Sequence, residues 1–344
     1  MVPMAFEAGV SAGGPLQHGG NLAQARALFP EAPQPWIDLS TGINPHSYPY
    51  SPLPASAFSR LPEAEAAERL RQLAAEAYGA PTPDHVAAGP GTQILLPIVA
   101  RLVRRGSLAA ILSPTYAEHA RAARMAGYAV REVEDVGQLA EADLAVVVNP
   151  NNPTGRTIPK AELLELAASM RRKGGLLVVD EAFHDVSVHS GVTDAVDAGG
   201  LLVLRSFGKF YGMAGVRLGF AISHPDVTAR IKGELGPWSV SGPALHIASE
   251  ALADGAWRAA MRERLHREAG RLDALLADRG ISVAGGTSLF RYIRHPQAQT
   301  IFNVLGQKGV FIRRFGDRPE DLRIGLPAED QWQRLEQALW EVTV

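Results

Sequence analysis

Residues 143–183 read DLAVVVNPNNPTGRTIPKAELLELAASMRRKGGLLVVDEAF. An apolar run of strand length (143–150) breaks at Asn-Pro, and the turn cluster NPNNPTG (149–155) follows. The spacing of apolar residues predicts a helix over 159–175. Pro159 stands at its start, where a missing N–H costs nothing. A second apolar run (176–183) predicts another strand. Strands that are apolar on both faces and joined through a helix imply a mostly parallel sheet covered on both sides.

The alternation continues outward. LAAIL (108–112), LLVLRSF (201–207) and LGFAIS (218–223) read as further strands, and YAEHARAARMAG (116–127) as a helix. Upstream, PEAEAAERLRQLAAEAYG (62–79) predicts an amphipathic helix ending at Gly79, and GTQILLPIVARLVRRG (91–106) a second one entered from VAAGP. After a long charged helix (257–280), the segments ISVAGGTSLFRYI, AQTIFNVLGQKG, VFIRRFG, DLRIGLP and EDQWQRLEQALWEV predict a strand–helix–strand–strand–helix unit. The expected class is α/β: a large domain with a mostly parallel central sheet and a smaller α+β C-terminal domain. The expected division is an arm over 1–50, rich in Gly, Pro, Ser and Ala with little regular structure, a large domain over 51–240 and a small domain over 241–344.

Composition narrows the function. The chain has 344 residues, 46% hydrophobic and 20% charged, which is ordinary globular usage. A net charge of -2 and no basic block point away from nucleic acid and from membrane surfaces. No apolar run reaches the length that crosses a bilayer. MVPMAFEAGVSAGGPLQHGGN, at the start, lacks the basic start and apolar core of a secretory signal. The absence of cysteine excludes disulfides, thiol nucleophiles and cysteine-ligated metals, and suits a cytoplasmic location. His184 and His189 have no evident third ligand, so no metal is expected.

In open parallel sheets the chemistry gathers at the carboxyl ends of the strands. Lys209, in RSFGKFYGMAGVRLGFAIS (205–223), sits there among glycines and aromatics. Desolvation disfavours its charged form and leaves the amine nucleophilic near neutral pH. Taken alone, such a lysine is equally a loop residue that snorkels. Asp180 closes an apolar strand and needs a cation, for which a protonated pyridine nitrogen would serve. NPNNPTG is a loop, yet it can aim an Asn amide at a ligand oxygen. GPGTQ (89–93) enters a helix whose first N–H groups suit a phosphate, without the GK[ST] of a Walker loop. Amine, carboxylate, amide and phosphate cup together describe a pyridoxal phosphate site.

In this order and spacing, NPNNPTG, VVDEAF and SFGKFYGMAGVRLGF resemble the fold-type-I pyridoxal phosphate enzymes of the class I/II aminotransferase group, over nearly the whole chain. The resemblance implies that Lys209 carries the cofactor, Asp180 partners the pyridine nitrogen, Asn152 bonds the ring oxygen and Tyr116 stacks on the ring. It implies a phosphate cup of Gly91, Thr92, Gln93, Ser206 and Arg217, and Arg323 on the substrate's anionic group. Three positions depart from the pattern: Phe183 where many relatives have Tyr, Gly208 where a hydroxyl residue often stands, and Leu61 where a Tyr of the neighbouring subunit often reaches the phosphate.

HGGNLAQARALFP (18–30) and WIDLSTGINP (36–45) resemble one branch, the L-threonine O-3-phosphate decarboxylases of cobalamin biosynthesis, kin of the histidinol-phosphate aminotransferases. That branch implies a homodimer acting on a small phosphorylated amino acid and yielding (R)-1-amino-2-propanol O-2-phosphate. Threonine phosphate carries two anionic groups. His18, Asn21 and the N–H groups of Gly19 and Gly20 suit one of them. Arg313 and Arg323, with Arg314 beside them, supply guanidinium forks. Gly42 gives room for backbone approach, and Asn44 and Asn152 supply amides. Two other readings stand beside this one: an aminotransferase acting on histidinol phosphate or a related amino acid, and a non-catalytic pyridoxal-sensing domain. The lack of a basic winged-helix segment weighs against the second.

Overall fold

The computed structural model describes residues 18–103 and 108–343. A seven-stranded sheet forms its centre, in the spatial order Val86–Gly89, Gly219–Ser223, Leu201–Ser206, Leu176–Asp180, Leu144–Val148, Leu108–Leu112, Ala129–Val133. All run parallel except Gly219–Ser223, which is antiparallel to both its neighbours. The three central strands are buried along their whole length, so they are apolar on both faces. Their register pairs Val148 with Asp180 and Asp180 with Leu204. The three chemistry-bearing segments therefore leave the sheet side by side.

The alternation of strand and helix is as expected, with edges moved. The run 143–150 is a strand only to Val148, 176–183 only to Asp180 and 201–207 only to Ser206. Each stops where its side chains must turn into the site. The helix expected over 91–106 spans Thr92–Ala100, with residues 104–107 outside the described set. The other expected helices are Ala64–Tyr78, Glu118–Met125, Lys160–Arg172 and Gly255–Ala277. Gly79 closes the first of these at φ 73°, a left-handed cap that glycine adopts without strain.

Other segments differ from expectation. The arm described from residue 18 carries a helix, Leu22–Leu28, and a two-residue strand, Ile37–Asp38, paired parallel with Val310–Phe311. ISVAGGTSLFRYI is not one strand but a hairpin of Val283–Thr287 and Phe290–Arg294. VFIRRFG is split, because Arg313–Arg314 leaves Val310–Phe311 to join the small sheet. That sheet is antiparallel, in the order Arg313–Arg314, Asp321–Gly325, Phe290–Arg294, Val283–Thr287. Helix Gly242–Ala253 packs on Ala64–Tyr78. Among the described residues no helix is long and apolar enough to cross a membrane.

Close backbone approaches join the turn after the large sheet to the small sheet at the site. A Cβ on Gly155 would lie 2.3 Å from the Gly286 nitrogen, and one on Gly285 would lie 2.2 Å from the Thr154 carbonyl oxygen. The NPNNPTG turn thus rests directly on the small-sheet hairpin, glycine against backbone.

Candidate active site

Lys209 lies in the short helix Phe207–Phe210 that leaves the end of strand Leu201–Ser206. The arm holds this turn in place. The Asn44 backbone N–H donates to the Lys209 carbonyl at 2.9 Å, and its side-chain amide donates to the Phe210 carbonyl at 2.7 Å. Desolvation, with Arg323 and Arg217 nearby, lowers the Lys209 amine to about 8 against the opposing pull of Asp180. Its Nζ lies 5.8 Å from the Phe183 ring centre.

Asp180 is buried at the end of its strand. Oδ1 accepts the Ala182 N–H at 3.0 Å and Oδ2 lies 2.8 Å from His119 Nε2. His119 escaped the sequence reading, although SPTYAEH carried the signal: Tyr116 and His119 stand three apart at a helix start and share a face. Tyr116 donates its hydroxyl to Gln93 Oε1 at 3.0 Å. Desolvation raises it to about 12, so the phenol that lines the cavity stays neutral.

The expected phosphate cup is built from close approaches. Gly91 has φ 89°, and a Cβ there would lie 2.8 Å from an Arg217 guanidinium nitrogen. Only glycine lets that guanidinium lie against the first turn of helix Thr92–Ala100. Ser206 pairs with Gly219 across the sheet, and a Cβ on Gly219 would meet the Thr92 nitrogen at 2.6 Å. The helix N–H groups, the Ser206 hydroxyl and the Arg217 fork therefore meet in one place, a donor set that fits a phosphate.

Arg323 is the buried cation of the small sheet. Its guanidinium donates to Asn152 Oδ1 and, at 2.7 Å, to the Ser40 carbonyl. Its Nε has no hydrogen-bond partner among the described residues. Burial, with Arg313 close by, lowers it to about 10. Arg313 stands opposite Arg323 in the sheet register and is itself lowered by desolvation. Two guanidinium groups side by side, one of them fully desolvated, form an electrostatic trap for an anion. Arg314 points elsewhere, bonding Gln299 and lying over the Phe302 ring.

Gly91, Thr92, Gln93, Tyr116, Asn152, Asp180, Ser206, Lys209 and Arg217 line one cavity together with Phe183. With Oδ1 held by Arg323, Asn152 turns its NH₂ donor to other partners. These residues fit the expected cofactor: a desolvated amine, a fixed carboxylate, an amide donor, an aromatic wall and a phosphate cradle that any Cβ on Gly91 would fill.

The residues expected to meet the substrate are placed less uniformly. His18 is half exposed, with Nε2 3.2 Å from Glu118 Oε1 and its ring 6.0 Å from that of Tyr116. Gly19 packs so closely that a Cβ would overlap the Ser40 carbonyl. Gly42 leaves room for the Phe183 ring, whose edge a Cβ would meet at 2.8 Å. Four groups are engaged otherwise than expected. The Gly20 N–H donates to Ser40 Oγ at 2.7 Å. Asn21 is exposed and caps helix Leu22–Leu28 by accepting the Gln24 N–H. Asn44 is buried under Lys209, with Oδ1 taken by the His46 N–H. Both ends of the Gln93 amide are bound, to Tyr116 and to Glu118. Each is held by backbone or by a neighbouring side chain, a demand that residue type alone does not reveal.

A model of the family described as aminotransferase class I and II matches residues 37–339. The threonine-phosphate decarboxylase of Pseudomonas aeruginosa is 42% identical over 328 residues, covering 94% of this chain and 97% of its own length. A threonine-phosphate decarboxylase of a Sinorhizobium species is 43% identical over 318 residues, covering 91% and 93%. The fold is that of the histidinol-phosphate aminotransferase of Sinorhizobium meliloti solved with pyridoxal 5'-phosphate, at a TM-score of 0.78 over 95% of this chain and 97% of that one, with 22% identity.

Proposed function

The chain belongs to the aminotransferase class I and II family, and on that footing we infer that it is a pyridoxal 5'-phosphate-dependent carboxy-lyase. It removes carbon dioxide from L-threonine O-3-phosphate and leaves (R)-1-amino-2-propanol O-2-phosphate for cobalamin synthesis. The observation that carries the choice of reaction is the 42–43% identity, over more than nine-tenths of the chain, to two threonine-phosphate decarboxylases.

When bound, the cofactor supplies a sink for the electron pair that the departing carboxylate leaves behind. The chain's own residues supply binding, orientation and proton handling. Lys209 would hold the cofactor at rest and, when its amine is free, would carry a proton to the substrate's Cα. Asp180, fixed by His119, would partner the pyridine nitrogen and favour its protonated form. Asn152 would donate to the ring oxygen, and Thr92, Ser206 and Arg217 would hold the phosphate. Arg323 and Arg313 take an anionic end of the substrate, while His18 and Gly19 face the other. Holding both ends would fix the direction of the carboxylate at Cα and so choose which bond breaks. The proton that Lys209 delivers replaces the lost carbon dioxide, so no second substrate is consumed.

The enzyme works as a homodimer in this reading. Phe58, Leu61, Ile94 and Trp238 are large apolar side chains left 71%, 65%, 48% and 59% exposed. They lie on adjoining segments: a Cβ on Gly242 would overlap the Ala57 carbonyl, and Ser239 bonds the Ala88 carbonyl just before the phosphate turn. A second copy covering this face would shield the phosphate end from water. Sedimentation at micromolar concentration would give twice the chain mass, and a monomer would reject the arrangement. The cytoplasm is the expected location, and cell fractionation tests it.

Two incubations separate this activity from the alternative. Threonine phosphate alone yields carbon dioxide, whereas an aminotransferase yields glutamate from histidinol phosphate and 2-oxoglutarate.

A further inference from the structure

Glu118 has no role in the site as described so far, yet it is one of the few carboxylates that are almost completely buried. It opens helix Glu118–Met125 and its two oxygens face different parts of the site. Oε1 meets His18 Nε2 at 3.2 Å. Oε2 accepts the Gln93 side-chain N–H at 2.6 Å and an Arg121 N–H at 3.1 Å. Gln93 in turn accepts the Tyr116 hydroxyl at 3.0 Å. A continuous line of polar contacts therefore runs from the arm, through Glu118 and Gln93, to the aromatic wall of the cofactor cavity.

The chemistry of the line requires a carboxylate at its centre. An ionised carboxylate only accepts, and it can meet three donors at once. Its charge makes the contacts with Gln93 and Arg121 charge-assisted. Those hydrogen bonds and the nearby Arg121 and His18 outweigh desolvation and keep the group ionised. A neutral amide here would offer one acceptor oxygen instead of two and no charge to strengthen the contacts. The same turn of chain, Tyr116 to His119, also supplies the ring wall and the partner of Asp180, so a shift of Glu118 is felt by both.

We propose that Glu118 is a positioning residue that ties the substrate-facing His18 to the cofactor-facing Tyr116, so that arm docking and the seating of the cofactor ring depend on one carboxylate. The proposal rests on the reading of His18 as a substrate contact and of Tyr116 as the ring wall. His18 meets Glu118 through Nε2, which leaves Nδ1 as the ring atom available to a substrate. Gln93 acts as a spacer that carries the tie to the phenol.

The test is a double-mutant cycle on the full chain with two separate readouts. One is the dissociation constant of pyridoxal 5'-phosphate for the cofactor-stripped protein, followed by quenching of intrinsic fluorescence. The other is the KM for threonine phosphate. Glu118→Ala is expected to raise both about tenfold. His18→Ala raises only the KM, and Gln93→Leu raises chiefly the cofactor constant. Adding His18→Ala to Glu118→Ala changes the KM no further. Unchanged melting of the stripped variants separates positioning from folding. The proposal is overturned if Glu118→Ala moves neither quantity or only one, or if the two KM effects simply multiply. If the wild-type protein releases no carbon dioxide, the function is wrong, while the cofactor arm of the cycle still reads the tie between Glu118 and Tyr116.

Discussion

At the scale of single residues, the site depends on charges withdrawn from water. Lys209 is the clearest case: an ordinary lysine near 10.5 would be almost wholly protonated at neutral pH, whereas burial brings this one to about 8. The rate at which the stripped protein captures pyridoxal 5'-phosphate, followed by visible absorption, should therefore rise with pH around a midpoint near 8. A midpoint near 10.5 would mean that the amine is solvated. Lys209→Ala should lose both the absorption and turnover. What could be read at this scale was residue type: an amine, a carboxylate, arginines and an anchored amide. What could not was which polar group is already engaged. Gln93 and Asn44 have the chemistry of ligand contacts, but their partners come from segments remote in sequence. Glu118 was hidden for the same reason, since its use appears only when residues 93 and 18 arrive beside it.

At the scale of elements, the strands that carry chemistry were legible because they are buried on both faces and so have no polar alternation to obscure them. Ala129–Val133 was not, since it is a sheet edge with mostly exposed or half-exposed side chains. Val86–Gly89 has one strand-favouring residue, Val86, followed by Ala-Ala-Gly, which have little strand propensity. The hairpin hidden in ISVAGGTSLFRYI turns at residues 288–289 without a strong turn signal. Its glycines have a use that sequence did not disclose, because they let the NPNNPTG turn rest on it. Gly155 has φ 75° and no room for a methyl group against Gly286. Gly155→Ala should then cost about 1–3 kcal/mol, seen as a lower melting temperature. It should also raise the KM, because Asn152 no longer meets Arg323. A variant with unaltered melting and KM would show that the turn and hairpin are not held against each other.

At the scale of the whole molecule, a buried polar cluster lies behind the site. Arg205 pairs with Glu181 at 2.7 Å and faces Asp185 at 3.6 Å, and His184 sits beside them. Burial and the neighbouring Arg205 hold His184 neutral down to about 4, against 6.5 in the unfolded chain. Between those values the unfolded state binds a proton that the folded state refuses. The stability that neutral His184 confers is therefore complete above 6.5 and is lost as pH falls toward 4. Its share of that loss is about 2 kcal/mol between pH 6.5 and 5. Urea unfolding of His184→Gln should show a loss smaller by that amount, and an identical pH slope would contradict the assignment.

The central claim is that both anionic ends of one substrate are held so that carboxylate, rather than hydrogen, leaves Cα. Threonine phosphate labelled with ¹³C in its carboxylate, incubated in D₂O with the holoenzyme and no keto acid, tests it most directly. One labelled carbon dioxide is expected for each aminopropanol phosphate formed, with a single deuterium at the former Cα. Label retained in the amino acid, or product appearing only when a keto acid is added, would contradict it.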